Sequence, residues 1–190
     1  MKKIELAYRY ILNELMEKKR RNLTQAEIAR ALNISLSTVN LAISYLKKMN
    51  AVKVKRRSFD LVNGKKILLY WASVRNLERD IVFKTRVENT VVDIEKNMPN
   101  SVIFGAYSAY KYLFNDMPAD YSEVYVYSHD IDEIKKRFGE NKNNPNLFVL
   151  KKEFDKMTLA QLFVDLWNLK EWYAKDFLKA MEEKIYGILE

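Results

Sequence analysis

The stretch Leu23–Met49, LTQAEIARALNISLSTVNLAISYLKKM, constrains this chain more than any other. Thr24 followed three residues later by Glu27 is a capping box, so a helix starts there. Ala26, Ile28, Ala29 and Leu32 form its inner side. The helix is short because Asn33 follows, a residue that tolerates the left-handed backbone of a tight turn. Ile34 anchors the turn. Ser35 or Ser37 caps another helix that runs to about Met49, with Val39, Ala42, Ile43 and Leu46 inside. Ala29 leaves room for the two helices to approach closely.

Upstream, Ile4, Ala7, Tyr8, Ile11, Leu12, Leu15 and Met16 give residues 3–19 the apolar stripe of an amphipathic helix. Downstream, Val52 and Val54 alternate with Lys53 and Lys55, which predicts a strand. Asn63-Gly64 reads as a hairpin turn, and Ile67–Trp71 as the returning strand. Residues 1–72 therefore read helix, helix, turn, helix, strand, turn, strand. This pattern resembles a winged helix-turn-helix of the MarR-like type of transcriptional regulator. The resemblance implies docking on double-stranded DNA, commonly as a homodimer on a palindrome.

Charge agrees. Residues 1–72 hold 16 Lys/Arg against 5 Asp/Glu, whereas residues 73–190 hold 17 against 20. A cationic first third on a mildly acidic remainder points to a polyanion partner for the first third alone. On the last helix of the motif, Ser37, Thr38, Asn40, Leu41, Ser44, Tyr45 and Lys48 face outward and are free to meet a major groove. Asn can read adenine in bidentate fashion, and hydroxyls can meet bases or phosphates. Lys53, Lys55, Arg56 and Arg57 on one side of the expected hairpin, with Lys65 and Lys66 on the other, are candidate phosphate contacts.

Residues 73–98 read as a helix with Leu77, Ile81, Val87, Val91 and Ile94 on its apolar face, either a linker or dimer element or the first helix of a second domain. Residues 99–190 read as mixed α/β. Strands are expected over Ser101–Phe104, Glu123–Ser128 and Leu147–Leu150, and helices over Ala106–Phe114 and Asp130–Gly139, with Thr158–Leu169 and Lys170–Leu189 as two helices or one bent one.

The run SVIFGAYSAYKYL, a strand, a glycine turn and a helix, followed by the strand DYSEVYVY, resembles the nucleotidyltransferase superfamily. That likeness implies a triphosphate-holding turn and two carboxylates on alternate strand residues for Mg²⁺. The chain departs from it where the chemistry lies. Gly105 fits, but Ala106 stands in place of the second small residue. Ser108 aligns loosely, and Glu123 meets Tyr125 two residues on rather than a second carboxylate. Asp120 is followed at that spacing by Ser122. The expected whole is an α+β protein: a winged helix-turn-helix, then a small nucleotidyltransferase-like domain that has lost catalysis, then C-terminal helices.

The tail, with Asp165-Leu166-Trp167, is similar to the helical end of AbiEi-type antitoxins. Those proteins join such a DNA-binding domain to a degenerate nucleotidyltransferase-like one. The likeness implies a repressor of its own operon with a toxin as protein partner. The competing reading is an active nucleotidyltransferase guided by its DNA-binding domain. Gly105, Tyr107, Ser108, Glu123 and Tyr125 could line a pocket for a ligand or partner, or be ordinary half-buried residues.

Zero cysteines and one histidine, His129, argue against disulfides, zinc and thiol or triad chemistry, so neither a metal nor a cofactor is expected. No apolar run is long enough to span a membrane, and the amphipathic start is not a secretory leader, which makes the cytoplasm the expected compartment.

Overall fold

The computed structural model describes residues 1–189, with the backbone alone at Tyr186. The chain divides into two compact units. One holds Met1–Arg75, Thr158–Val164 and the residues from Glu182 on; the other holds Asn76–Met157 and Asp165–Met181.

In the first unit, helix α1 (Lys3–Met16) buries Ala7, Tyr8, Ile11, Leu12, Leu15 and Met16. After a two-residue strand β1 (Asn22–Leu23) come α2 (Gln25–Leu32) and α3 (Leu36–Lys48). The Thr24 hydroxyl accepts the Glu27 N–H at 3.1 Å and starts α2. Asn33 ends it in the left-handed region at φ 50°. The Ser35 hydroxyl then accepts the Thr38 N–H at 3.2 Å and starts α3. Val39, Ala42, Ile43 and Leu46 are the buried side of α3, which packs on α1 and α2. Strands β2 (Val52–Val54) and β3 (Phe59–Leu61) pair antiparallel, and β1 adds to β3, giving the sheet order β1-β3-β2.

Here the structure corrects the sequence reading. Asn63-Gly64 is not a hairpin turn and Ile67–Trp71 is not a strand; Gly64 and Ile67–Trp71 belong to helix α4 (Gly64–Val74). Asn63 caps that helix, its Oδ1 accepting the Lys66 N–H at 2.9 Å. Gly64 is needed for close approach: a Cβ there would collide with Leu15 Cδ2. Trp71 on α4 is wholly buried and donates its indole N–H to Glu5 at 3.3 Å, and Arg75 meets the same carboxylate oxygen.

The expected helix over 73–98 is also replaced. After α4 come a 3-10 turn (Leu77–Asp80), strand β4 (Ile81–Thr85) and a short helix α5 (Val91–Lys96). Thr90 caps α5 by accepting the Asp93 N–H. Thereafter the predicted order holds: β5 (Ile103–Phe104), α6 (Ala106–Phe114), β6 (Val124–Ser128), α7 (Ile131–Phe138), β7 (Leu147–Lys151), α8 (Leu159–Trp167) and α9 (Ala174–Ile185). The sheet order is β4-β7-β6-β5, with β6 and β7 parallel and the outer pairs antiparallel.

Strand β6 is buried on both faces. Its valines, Val124 and Val126, join Ile94, Ile134, Leu147 and Val149 in one core, while Tyr125 and Tyr127 occupy alternate positions and hence the opposite face. Among the described residues no helix is long and apolar enough to cross a membrane.

Candidate nucleic-acid interface

The wing is the β2–β3 hairpin. Val52, Phe59 and Leu61 are buried and fix it, while its tip, Lys55-Arg56-Arg57-Ser58, is closed by a bond from the Lys55 N–H to the Ser58 carbonyl at 2.8 Å. Lys53, Lys55, Arg56 and Arg57 all stand in solvent. Lys55 pairs with Asp60 on β3, and Asn22 donates to the other oxygen of that carboxylate at 2.6 Å. These bonds, Lys55 first, hold Asp60 below the usual carboxylate range, so it stays ionised and keeps the wing sheet cross-linked to β1.

Beside the tip lies a cleft walled by Thr24, Gln25 and Ala26 at the start of α2 and by Val54 and Lys55–Ser58 of the wing. Backbone N–H groups at a helix start and cations on a rigid hairpin are both suited to phosphate oxygens.

The outer face of α3 carries the predicted groove residues. Ser37, Asn40, Leu41, Tyr45 and Lys48 are exposed, and Thr38 and Ser44 are half-buried. Tyr45 packs on Tyr70 at 6.2 Å between ring centroids, with the Lys48 ammonium 5.7 Å from the Tyr45 ring, so both are steadied at the end of the helix. Lys65 and Lys66, by contrast, are not on the wing. They occupy the first turn of α4, where the Lys66 ammonium donates to the Met49 carbonyl at 3.1 Å.

Residues 9–53 match the family model described as winged helix-turn-helix DNA-binding. The chain carries a winged helix-turn-helix DNA-binding domain. The match includes α2, α3 and the start of the wing, and leaves the second unit unassigned. No curated protein and no solved structure matches the chain significantly.

The second group of predicted residues lies in the other unit. Gly105 precedes α6 and donates its N–H to the Tyr125 carbonyl at 2.8 Å; a Cβ on it would stand 3.1 Å from the Tyr127 ring. Tyr107 is wholly buried, with Tyr121, Tyr125, Tyr173 and Phe177 around it at 4.8–6.3 Å between centroids. These four rings pack around that of Tyr107.

Nothing in the residue pattern pointed to the carboxylate that joins these residues. Glu171 accepts the Tyr107 hydroxyl at 2.9 Å on one oxygen and the Tyr125 hydroxyl at 2.7 Å on the other. Burial, then the Glu171 charge, raises the Glu123 carboxyl above its ordinary range. Two further carboxylates are bound in a similar way. Buried Asp165 accepts the Tyr127 hydroxyl at 2.7 Å. Glu95 accepts Lys111, Tyr112 and Tyr121 at 2.7, 2.9 and 2.6 Å. Burial would raise the Glu95 pKa, but these donors, Lys111 and Tyr121 foremost, outweigh it and leave the carboxyl below its usual range. Among the described residues no group of three or more Asp, Glu or His side chains could hold a metal ion.

Proposed function

We propose that this chain is a sequence-specific DNA-binding transcriptional regulator. The observation that carries this reading is the winged helix-turn-helix match over residues 9–53, with the cations of the wing tip and of the α3 end standing in solvent. Lys48, Lys53, Arg56 and Arg57 supply about four phosphate contacts per copy, each releasing counterions. A gel-shift titration tests it. From 50 to 200 mM salt the affinity should fall roughly a hundredfold for four contacts. A chain that holds no duplex even at the lower salt would sink the reading.

In this proposal the second unit binds a partner or effector and does not catalyse. The likeness to a nucleotidyltransferase turn is supported by Ala106, which takes φ 47° directly after Gly105, a conformation that glycine adopts without strain. Loss of catalysis is supported by the carboxylates nearby, Glu171 and Asp165, whose oxygens accept tyrosine hydroxyls. Incubation with Mg²⁺ and labelled nucleoside triphosphates should leave no label on nucleic acid or protein; transfer of label would favour the enzyme. The finest form of the proposal, an autorepressing antitoxin acting as a homodimer, rests on the likeness of the C-terminal helices to that family.

A further inference from the structure

We propose that the outer face of α3 reads A·T base pairs, with Asn40 on adenine and Leu36 and Leu41 on thymine methyl groups. This rests on the DNA-binding reading above and adds the base preference to it.

Among the serine, threonine and asparagine side chains on that face, elimination leaves Asn40 as the reader. The Ser37 hydroxyl bonds with the Ser35 hydroxyl at 2.9 Å, and the Thr38 hydroxyl with the same oxygen at 2.8 Å. Ser44 turns its only O–H donor back onto the Leu41 carbonyl at 2.8 Å. Asn40 is exposed, and its amide makes no hydrogen bond among the described residues, so a donor and an acceptor remain open side by side. That pair matches N6 and N7 of adenine in the major groove.

Leu36 and Leu41, one turn before Asn40 and one residue after it, are 55% and 48% exposed. Together with Ser37, Asn40 and Ser44 they line a single shallow hollow. It lies in the leading half of the helix, the part that meets base edges in helix-turn-helix proteins. The one apolar group that a base pair offers in the major groove is the thymine methyl.

Guanine is read chiefly by Arg or Lys, and this face has neither between Leu36 and Leu46. Its cations stand at the margins instead, Lys48 at the end of α3 and Arg56 and Arg57 on the wing, where they suit the phosphates flanking such a site. That charge frame selects duplex DNA over an apolar protein surface as the occupant of the two bare leucines.

The test uses the full chain and three duplexes of equal length at one salt concentration: repeating dA-dT, repeating dA-dU and repeating dG-dC. Uracil differs from thymine only by the missing methyl. Affinity should rank dA-dT first, with dA-dU weaker by roughly tenfold because two methyl groups are no longer buried, and dG-dC weaker still. In the Leu36→Ala/Leu41→Ala variant, whose changes are exposed and favour the helix, the dA-dT to dA-dU ratio should shrink to about one with the salt slope intact. Equal binding of dA-dT and dA-dU by the unaltered chain overturns the proposal. So does a dG-dC preference, or a ratio that survives the double substitution. Retention of no duplex at low salt removes the DNA-binding reading itself, and the base preference with it.

Discussion

The two units handle charge in opposite ways. In the first, buried Glu5 and Glu14 meet cations, Arg75 for one and Lys18 and Arg20 for the other, while Lys53, Arg56 and Arg57 remain in solvent. In the second, carboxylates chiefly meet phenols: buried Glu95 with Tyr112 and Tyr121 beside Lys111, buried Asp165 with Tyr127, and half-buried Glu171 with Tyr107 and Tyr125. A cation left in water on a rigid hairpin is available to a partner. A carboxylate holding tyrosine hydroxyls in a packed interior is already engaged, and its contribution is to stability. The molecule therefore separates an outward set of solvated cations from an inward framework of engaged carboxylates.

The largest effect is expected where that framework is cut. Glu95→Ala leaves Lys111 and two tyrosine hydroxyls without their acceptor and should cost about 3 kcal/mol in urea unfolding. DNA affinity per folded molecule should not change. Because its neighbours hold Glu95 below the ordinary glutamate range, the stabilisation is complete above that range and drains away as pH falls through the lower folded value. Melting temperature followed from about pH 6 to about pH 3 should drop, and Glu95→Gln should flatten the slope. A Glu95→Ala protein as stable as its parent would show that the phenol-capped carboxylates are ornamental.

Next in size is Arg56→Ala with Arg57→Ala on the outward surface. Affinity for every duplex should fall on the order of tenfold or more, and the salt slope by about two, with unfolding unchanged. Loss confined to one sequence would assign these arginines to bases rather than phosphates. Smaller again, and of opposite sign, is Ala106→Gly. Relief of the left-handed backbone at that position should stabilise the second unit by about 1 kcal/mol. Smallest is Ser44→Ala. Its hydroxyl donor is already committed to Leu41, so binding to a preferred duplex should change by less than about twofold.

Sequence was a good guide where the determinants are local. Thr24, Asn33 and Ser35 each do in the structure what their chemistry predicts, and α3 presents the expected face. It misled where a short-range rule competed with periodicity. Asn63-Gly64 has the form of a hairpin turn, yet Ile67, Leu68, Trp71 and Ala72 fall at i, i+1, i+4 and i+5, the spacing of a buried helical stripe. Over 73–98 the opposite happened. Apolar residues of a strand and a short helix fell by chance on one helical stripe, although the β-rich IVFKT and the Thr90–Asp93 cap were signals against it. Glu171 could not have been found this way. It is 46 residues from Tyr125 and 64 from Tyr107, and only the folded chain brings them together.

The first unit is also discontinuous in sequence. Its winged helix is encoded early, but Thr158–Val164 and the residues from Glu182 on belong to the same compact body: the Leu159 N–H bonds to Glu17, and Leu189 lies against Gly64. During translation, a nascent chain that has reached Met157 displays the recognition helix without two of the pieces that complete its packing. Full packing of the first unit would then arrive only with the stretch that leaves the ribosome later, so a product cut short before it should unfold more readily than the whole chain.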